Sequence, residues 1–314
     1  MEELRQKLEE LKGNLNKVII GKEKELELIL AALLAEGHVL LEDVPGTGKT
    51  ILARSLAKSI NSSFSRIQFT PDLLPNDIVG IHFFNQKNQE FEWKPGPIHA
   101  HIVLADELNR TTPRSQSALL EAMAEKQVTV DGKTILLPKP FFVVATQNPI
   151  ETEGTFPLPE AQLDRFIIKL SLGYPTFEEE MMMIHRFKEN NPLEQLEAVI
   201  QAEDIQQMQS DVKKVHINED LITYISKIIH ALRTHKEIEV GPSPRATLAL
   251  VRFVQALSFI RGRSFVLPED IQEAVVPVLE HRLMIGMDIS LQKTAKDLVI
   301  ETVNQISVPL EDIR

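Results

Sequence analysis

HVLLEDVPGTGKT, residues 38–50, opens with a short apolar run, His38 to Glu42, and breaks into a glycine-rich turn that leads into a helix. A short, β-rich apolar run bounded by a turn reads as a buried strand. In the turn Pro45-Gly46-Thr47-Gly48-Lys49-Thr50 the glycines let the backbone approach phosphate oxygens and point its N–H groups inward. The helix N-terminus that follows adds a favourable dipole. Lys49 is then placed to reach β- and γ-phosphates, and the Thr50 hydroxyl to hold Mg²⁺. The full G-x-x-x-x-G-K-[ST] pattern is not met, because Asp43 stands at its first position. Asp tolerates left-handed backbone better than most side chains, so the turn is expected to survive the change. The strand before it and the helix after it separate this site from a chance Gly-Lys-Thr turn.

Outward from this stretch the chain alternates. Upstream, Leu4, Leu8, Leu11 and Leu15 recur at helical spacing, Gly21 interrupts, and a second helix buries Leu26, Ile29, Leu30, Leu33 and Leu34. Downstream, Arg66 to Phe69, His101 to Ala105, Phe141 to Ala145 and Phe166 to Leu170 read as strands, with helical segments such as Thr112 to Lys126 between them. With His38 to Glu42 this predicts an α/β fold, a parallel five-stranded sheet flanked by helices. Asp77 to Pro97 reads as an inserted β-hairpin, and Gln127 to Leu137 as another turning at Asp131-Gly132. Beyond Gly173-Tyr174-Pro175 only helical periodicity remains, broken at Asn191-Pro192, Gly241-Pro242 and Pro268. The expected division is residues 1–173 as the α/β domain and 174–314 as an all-helical domain, hinged near residues 173–175.

The bulk composition narrows the function. The 314 residues contain no cysteine, which removes disulfides and thiolate metal sites. No apolar run approaches the roughly 20 residues of a membrane span. The charged start MEELRQKLEE is unlike a secretory signal, so a cytoplasmic location is the expectation. A net charge of −11 argues against passive nucleic-acid binding, whose affinity comes from Lys and Arg on phosphates. The basic cluster Arg245, Arg252, Arg261 and Arg263 reads as a solvated helix face with one nucleotide contact.

Three further positions carry chemistry. The apolar strand Ile102-Val-Leu-Ala105 ends in Asp106-Glu107, which places both acids at the carboxyl edge of the sheet beside the phosphates. Asp106 is expected to fix the Mg²⁺ shell, and Glu107 to polarise the attacking water as general base. Asn148, leaving the next strand in Thr146-Gln147-Asn148-Pro149, offers an amide to the γ-phosphate or the water. Alone it would be an ordinary Asn-Pro turn.

LLEDVPGTGKT, ADELNRTTPRSQSALLEAMAEKQVTVDG, ATQNPIETEGTFPLPEAQLDRF and GPSPRAT together resemble the MoxR family of AAA+ ATPases, over nearly the whole chain. The start Glu-Asp-Val-Pro-Gly is itself the form seen in that family. The resemblance implies a P-loop AAA+ core with a C-terminal helical lid. It implies that Pro45 to Ile51, with Gly46, Thr47 and Gly48, cradle ATP as Walker A, that Asp106 and Glu107 are Walker B, and that Asn148 is sensor 1. Arg245 resembles sensor 2, reaching from the lid, and Val18 to Gly21, with Ile19 and Gly21, the stretch that packs on adenine. Arg165 resembles an arginine finger reaching a neighbouring subunit's nucleotide, with Arg110 and Arg114 as rivals. The bland alternative is that Arg165 pairs with Asp164 or Glu160. The two hairpins resemble the helix-2 insert and the hairpin before sensor 1, which face the pore or substrate in related rings. The implied activity is Mg-dependent hydrolysis of ATP by a homo-oligomeric, hexameric ring that remodels or matures client proteins, with von Willebrand factor A domain proteins as partners. The competing reading is a nucleic-acid-stimulated translocase on the same scaffold. A non-hydrolysing switch is disfavoured by Glu107.

Overall fold

In the computed structural model, which describes residues 2–149, 154–188 and 190–309, the chain opens with helices α1 (Glu2–Asn16) and α2 (Glu23–Leu34). Then follow β1 (Val39–Glu42), α3 (Lys49–Ser59), β2 (Phe64–Gln68), the short α4 (Pro75–Val79) and a hairpin of β3 (Gly80–Asn85) and β4 (Glu90–Pro95). The chain continues through β5 (Ile102–Asp106), α5 (Pro113–Glu125), a second hairpin of β6 (Gln127–Val130) and β7 (Lys133–Leu136), β8 (Phe142–Gln147), the short α6 (Glu160–Leu163) and β9 (Ile168–Leu170).

The five core strands form one parallel sheet in the order β2-β5-β8-β1-β9. Their period of two sorts apolar side chains to two faces. Val39, Leu41, Ile102, Leu104, Phe142 and Val144 pack toward α2 and α3. Leu40, Val103, Ala105, Val143 and Ala145 pack toward α5 and the base of the second hairpin. Both faces are covered, which is why these strands read as unbroken apolar runs. The first hairpin hangs from α4: a Cβ on Gly96 would lie 2.2 Å from the Ile78 carbonyl, so only glycine permits that approach. The strand expected at Arg66 to Phe69 begins earlier, at Phe64, because its register follows Ile102 to Asp106 of β5.

The C-terminal part comprises α7 (Phe177–Phe187), the short α8 (Pro192–Gln195), α9 (Ala202–Val212), α10 (Glu219–Arg233), β10 (Ile238–Val240), α11 (Pro244–Ile260), α12 (Pro268–Leu279), β11 (Met284–Ile285), α13 (Met287–Ser290) and α14 (Ala295–Asn304). It is therefore not wholly helical, because β10 and β11 form an antiparallel pair. Runs this short carry no legible alternation. α11 starts where Ser243 accepts from the Ala246 N–H and Pro244 fills the first helical position.

The two parts share one apolar core, in which α2 packs against α9 and α11. A polar latch adds to it. Arg282, 6% exposed, donates through Nε to Asp164 at 2.7 Å and through its guanidinium to the carbonyls of Phe166 (2.6 Å), Ile167 and Val278. Burial lowers its pKa, and Asp164 opposes that shift. Arg282→Ala should cost about 3 kcal/mol, since removing one partner strands a poorly hydrated carboxylate and three carbonyls. Chemical denaturation followed by circular dichroism checks this, and a loss below roughly 1 kcal/mol, the range of an exposed pair, would refute it.

Candidate active site

The loop after β1 reaches positive φ at Gly46 (88°) and Gly48 (86°), and Gly48 caps α3. The loop takes its turn with Asp43 at the first position, and Asp43 does not use the left-handed region. Its carboxylate instead accepts from the backbone N–H groups of Leu172 (2.7 Å) and Gly173 (3.0 Å) and from the Ser171 hydroxyl (2.7 Å). The loop is thus tied to the segment leaving β9.

A cavity of about 370 Å³ opens at the carboxyl edge of the sheet, lined by Lys49, Thr50, Asp106, Glu107 and Asn148 among others. Five residues singled out for phosphate, metal and water chemistry therefore meet in one place. Pro45, Gly46, Gly48 and Ile51 line it as well. Lys49 Nζ donates to the carbonyls of Asp43 (3.1 Å) and Val44 (2.9 Å), folded over the loop it is to serve. Burial lowers its pKa, while the carboxylates of Asp43, Asp106 and Glu107 work in the opposite direction. Asn148 is 9% exposed. Ile19 is partly buried in an apolar cluster with Val18 and Ile51, and Gly21 has φ 70° beside it, where adenine is expected.

Strand β2 contributes two residues that local sequence patterns did not single out. Arg66 and Gln68 lie two apart and therefore on one face. Arg66 pairs with Asp106, Nη2 to Oδ2 2.6 Å, and Gln68 Nε2 donates to Glu107 Oε2 at 2.7 Å. Asp106 also accepts from the Thr146 hydroxyl at 2.7 Å. Glu107 occupies the left-handed region (φ 57°), a strained conformation for a side chain of its type, pinned by its N–H to Thr146 Oγ1 at 2.8 Å. Arg110 Nη1 donates to the same carboxylate at 3.0 Å. One rival finger is thereby engaged within its own subunit, whereas Arg114 lies exposed in the first turn of α5.

Two residues do not reach this cavity. Arg165 and Arg245 line a separate cavity of about 960 Å³ with Gly37, His38 and Ile167, at the amino ends of β1 and β9. That is the opposite edge of the sheet from Lys49. Arg245, expected to reach nucleotide from the lid, thus lines a different cavity from Lys49 of its own subunit. Arg165 Nη1 donates to the Leu120 carbonyl at 2.6 Å, and the acid next to it, Asp164, is taken by Arg282. The pairing of Arg165 with Asp164 is therefore not what holds it. Of the basic cluster, Arg261 and Arg263 are paired with the fully buried Asp270, and Arg261 also with Glu27 and Glu273. They form an internal network rather than a groove for phosphates. In the stretch ATQNPIETEGTFPLPEAQLDRF, residues 150–153 lie outside the described residues. Among the described residues no helix is long and apolar enough to cross a membrane.

A parallel sheet with a phosphate loop, paired acids and a polar amide at its carboxyl edge, followed by a helical lid, defines an AAA-type ATPase. Residues 38–168 match the model of the ATPase family associated with various cellular activities (AAA), and residues 230–303 that of the AAA lid domain. Protein YeaC of Bacillus subtilis (strain 168) is 50% identical over 299 residues, covering 95% of this chain and 93% of that protein. Chaperone MoxR1 of Mycobacterium tuberculosis (strain ATCC 25618 / H37Rv) is 40% identical over 298 residues, covering 92% and 78%. A crystal structure from Cytophaga hutchinsonii ATCC 33406, described as a candidate ATPase, superposes with a TM-score of 0.91 at 38% identity, covering 98% of this chain and 96% of that one. The chain belongs to the MoxR family of AAA+ ATPases.

Proposed function

We propose that the chain hydrolyses ATP with Mg²⁺ at sites shared between subunits of a homo-oligomeric ring, a hexamer by resemblance, and uses the turnover to remodel or mature a client protein alongside a von Willebrand factor A domain partner. The convergence of Lys49, Thr50, Asp106, Glu107 and Asn148 on one cavity carries this reading. The Thr50 hydroxyl and Asp106 carboxylate are hard oxygen donors that would hold Mg²⁺, which would supply charge to neutralise the phosphates. Lys49 leaves the loop carbonyls to meet the phosphates. Glu107 takes the proton of the attacking water once Gln68 and Arg110 release its carboxylate. Asn148 holds the water or a γ-oxygen in line.

Arg165 and Arg245 share a cavity at the far edge of the sheet, so the nucleotide they serve is a neighbour's. Such contacts require a head-to-tail, ring-closing interface. The exposed apolar side chains of the first hairpin, Phe84 (49%) and Phe91 (73%), suit contact with a client polypeptide. Arg261 and Arg263 are taken by acids, which leaves only Arg245 and Arg252 of the basic cluster for phosphates and weakens the translocase reading. Stimulation of turnover by a client protein supports the proposal, and stimulation by DNA alone would replace it with the nucleic-acid motor.

Lys49→Ala should weaken ATP binding by about 10- to 150-fold, the loss of one charge-assisted hydrogen bond. Lys49→Arg should rescue poorly, since a planar fork does not fit a point-charge site. Titration calorimetry reads the affinity, and an unchanged value in Lys49→Ala would remove the phosphate-loop assignment.

A further inference from the structure

Helix α7 (Phe177–Phe187) has no buried residue, yet it is rich in large apolar side chains. Phe177, Met181 and Ile184 recur at i, i+4 and i+7, so they form one stripe, and they are 73%, 45% and 63% exposed. Glu178 and Glu180 are exposed beside it. The opposite side of the helix makes its contacts with the body of the chain. Glu179 lies 3.8 Å from Lys22 Nζ and so close to Gly21 that a Cβ there would overlap it. Arg186 Nη1 donates to the carbonyls of Asn16 (2.6 Å) and Lys17 (3.0 Å). Phe187 joins the apolar cluster that contains Ile19 and Ile51. Helix α7 is thus tied through Glu179, Arg186 and Phe187 to the segment around Ile19 and Ile51, beside the ATP cavity, and it carries an acidic, apolar stripe outward.

The far-edge cavity that holds Arg165 and Arg245 has the complementary character. Leu248 on α11 is 58% exposed, with Ala249 and Val251 partly exposed beside it. Arg245 and Arg252 on the same helix are exposed and make no ion pair among the described residues. Lys213 stands at the rim, 2.6 Å from Glu36.

We propose that the α7 stripe is an intersubunit docking element whose occupant is a second copy of this chain. Phe177, Met181 and Ile184 seat against Leu248 and Val251 of the neighbour's α11, and Glu180 faces Arg252. This rests on the shared-site reading, in which the ATP-cavity face of one subunit meets the Arg165 face of the next. Helix α7 borders the first face and α11 the second. Two α7 stripes brought together would oppose like charges, as would two α11 rims, so the charges select the head-to-tail contact. Because Phe187 touches the cluster beside adenine, the same helix joins the base site to the interface.

The test uses the full chain, with sedimentation velocity in an ATP analogue and turnover measured against protein concentration. Met181→Asp/Ile184→Asp changes only exposed side chains, so Tm and ATP affinity should stay at wild-type values. It should sediment as a smaller species where the wild type assembles, with turnover per chain at least 10-fold lower. Glu180→Arg and Arg252→Glu should each weaken assembly, and the double variant should regain it. Wild-type assembly and turnover in Met181→Asp/Ile184→Asp would overturn the proposal, as would a charge swap no better than its singles. The shared site itself fails separately: it stands or falls on recovery of activity when Arg165→Ala and Lys49→Ala subunits are mixed.

Discussion

Glu107→Gln is expected to bind ATP as tightly as the wild type and to turn it over about 10²–10⁴-fold more slowly, the usual cost of losing a general base. The amide keeps the shape of the side chain and its ability to accept from Gln68 Nε2 and Arg110 Nη1, so the resting arrangement survives. It lacks only the basicity needed to take a proton. The left-handed backbone at Glu107, held through Thr146 Oγ1, keeps the side chain over the cavity in either case. Single-turnover quench measurements with saturating ATP separate this from a binding defect. Near wild-type turnover in Glu107→Gln would assign the base elsewhere and leave the carboxylate a structural role. Asp106→Asn should behave differently, raising the Mg²⁺ concentration needed for half-maximal turnover, because a carboxylate donor to a hard cation has been lost.

The readable part of this site lay in residues adjacent along the chain. Pro45 to Thr50 and Asp106-Glu107 each sit on one strand end, so local pattern and the parallel-sheet rule bring them together. What was not readable depends on distant pairing. The partners of Asp43, Leu172 and Gly173, are 129 and 130 residues away, so its role in bracing the loop left no local trace. Arg66 and Gln68 lie on a strand whose face is set by register with β5, and that register is a tertiary property. The sequence motif GPSPRAT identified Arg245 without saying to which edge of the sheet its helix would be packed. That placement follows from α11 burying its apolar face against α2 and α9. Periodicity likewise identified Phe177 onward as helical but could not say that α7 would bury none of its apolar residues. A helical apolar stripe ordinarily faces a core. Here it faces outward, which makes the exception informative.

Arg165→Ala is expected to bind ATP and to lose turnover by about 10³–10⁵-fold, the range for a guanidinium that stabilises charge on a transferring phosphoryl group. It lies at the amino edge of the sheet, away from the subunit's own Lys49, so under the shared-site proposal it would act on a neighbour. Lys49→Ala fails differently: it binds ATP poorly yet still presents an intact Arg165. Mixing the two inactive chains creates some interfaces with a sound phosphate loop on one side and a sound guanidinium on the other. Activity should return in proportion to the share of such interfaces in a random mixture. The alternative is a purely structural Arg165, whose donation to the Leu120 carbonyl at 2.6 Å tethers α5 to the segment before β9. On that account Arg165→Ala would lower Tm, and mixing would restore nothing. Fluorescence exchange between labelled subunits shows that the chains have mixed. With exchange demonstrated, absence of recovery would exclude Arg165 as the finger. Arg114, exposed at the start of α5, would then be tested first by the same experiment, ahead of Arg110, whose guanidinium is already engaged with Glu107 of its own subunit.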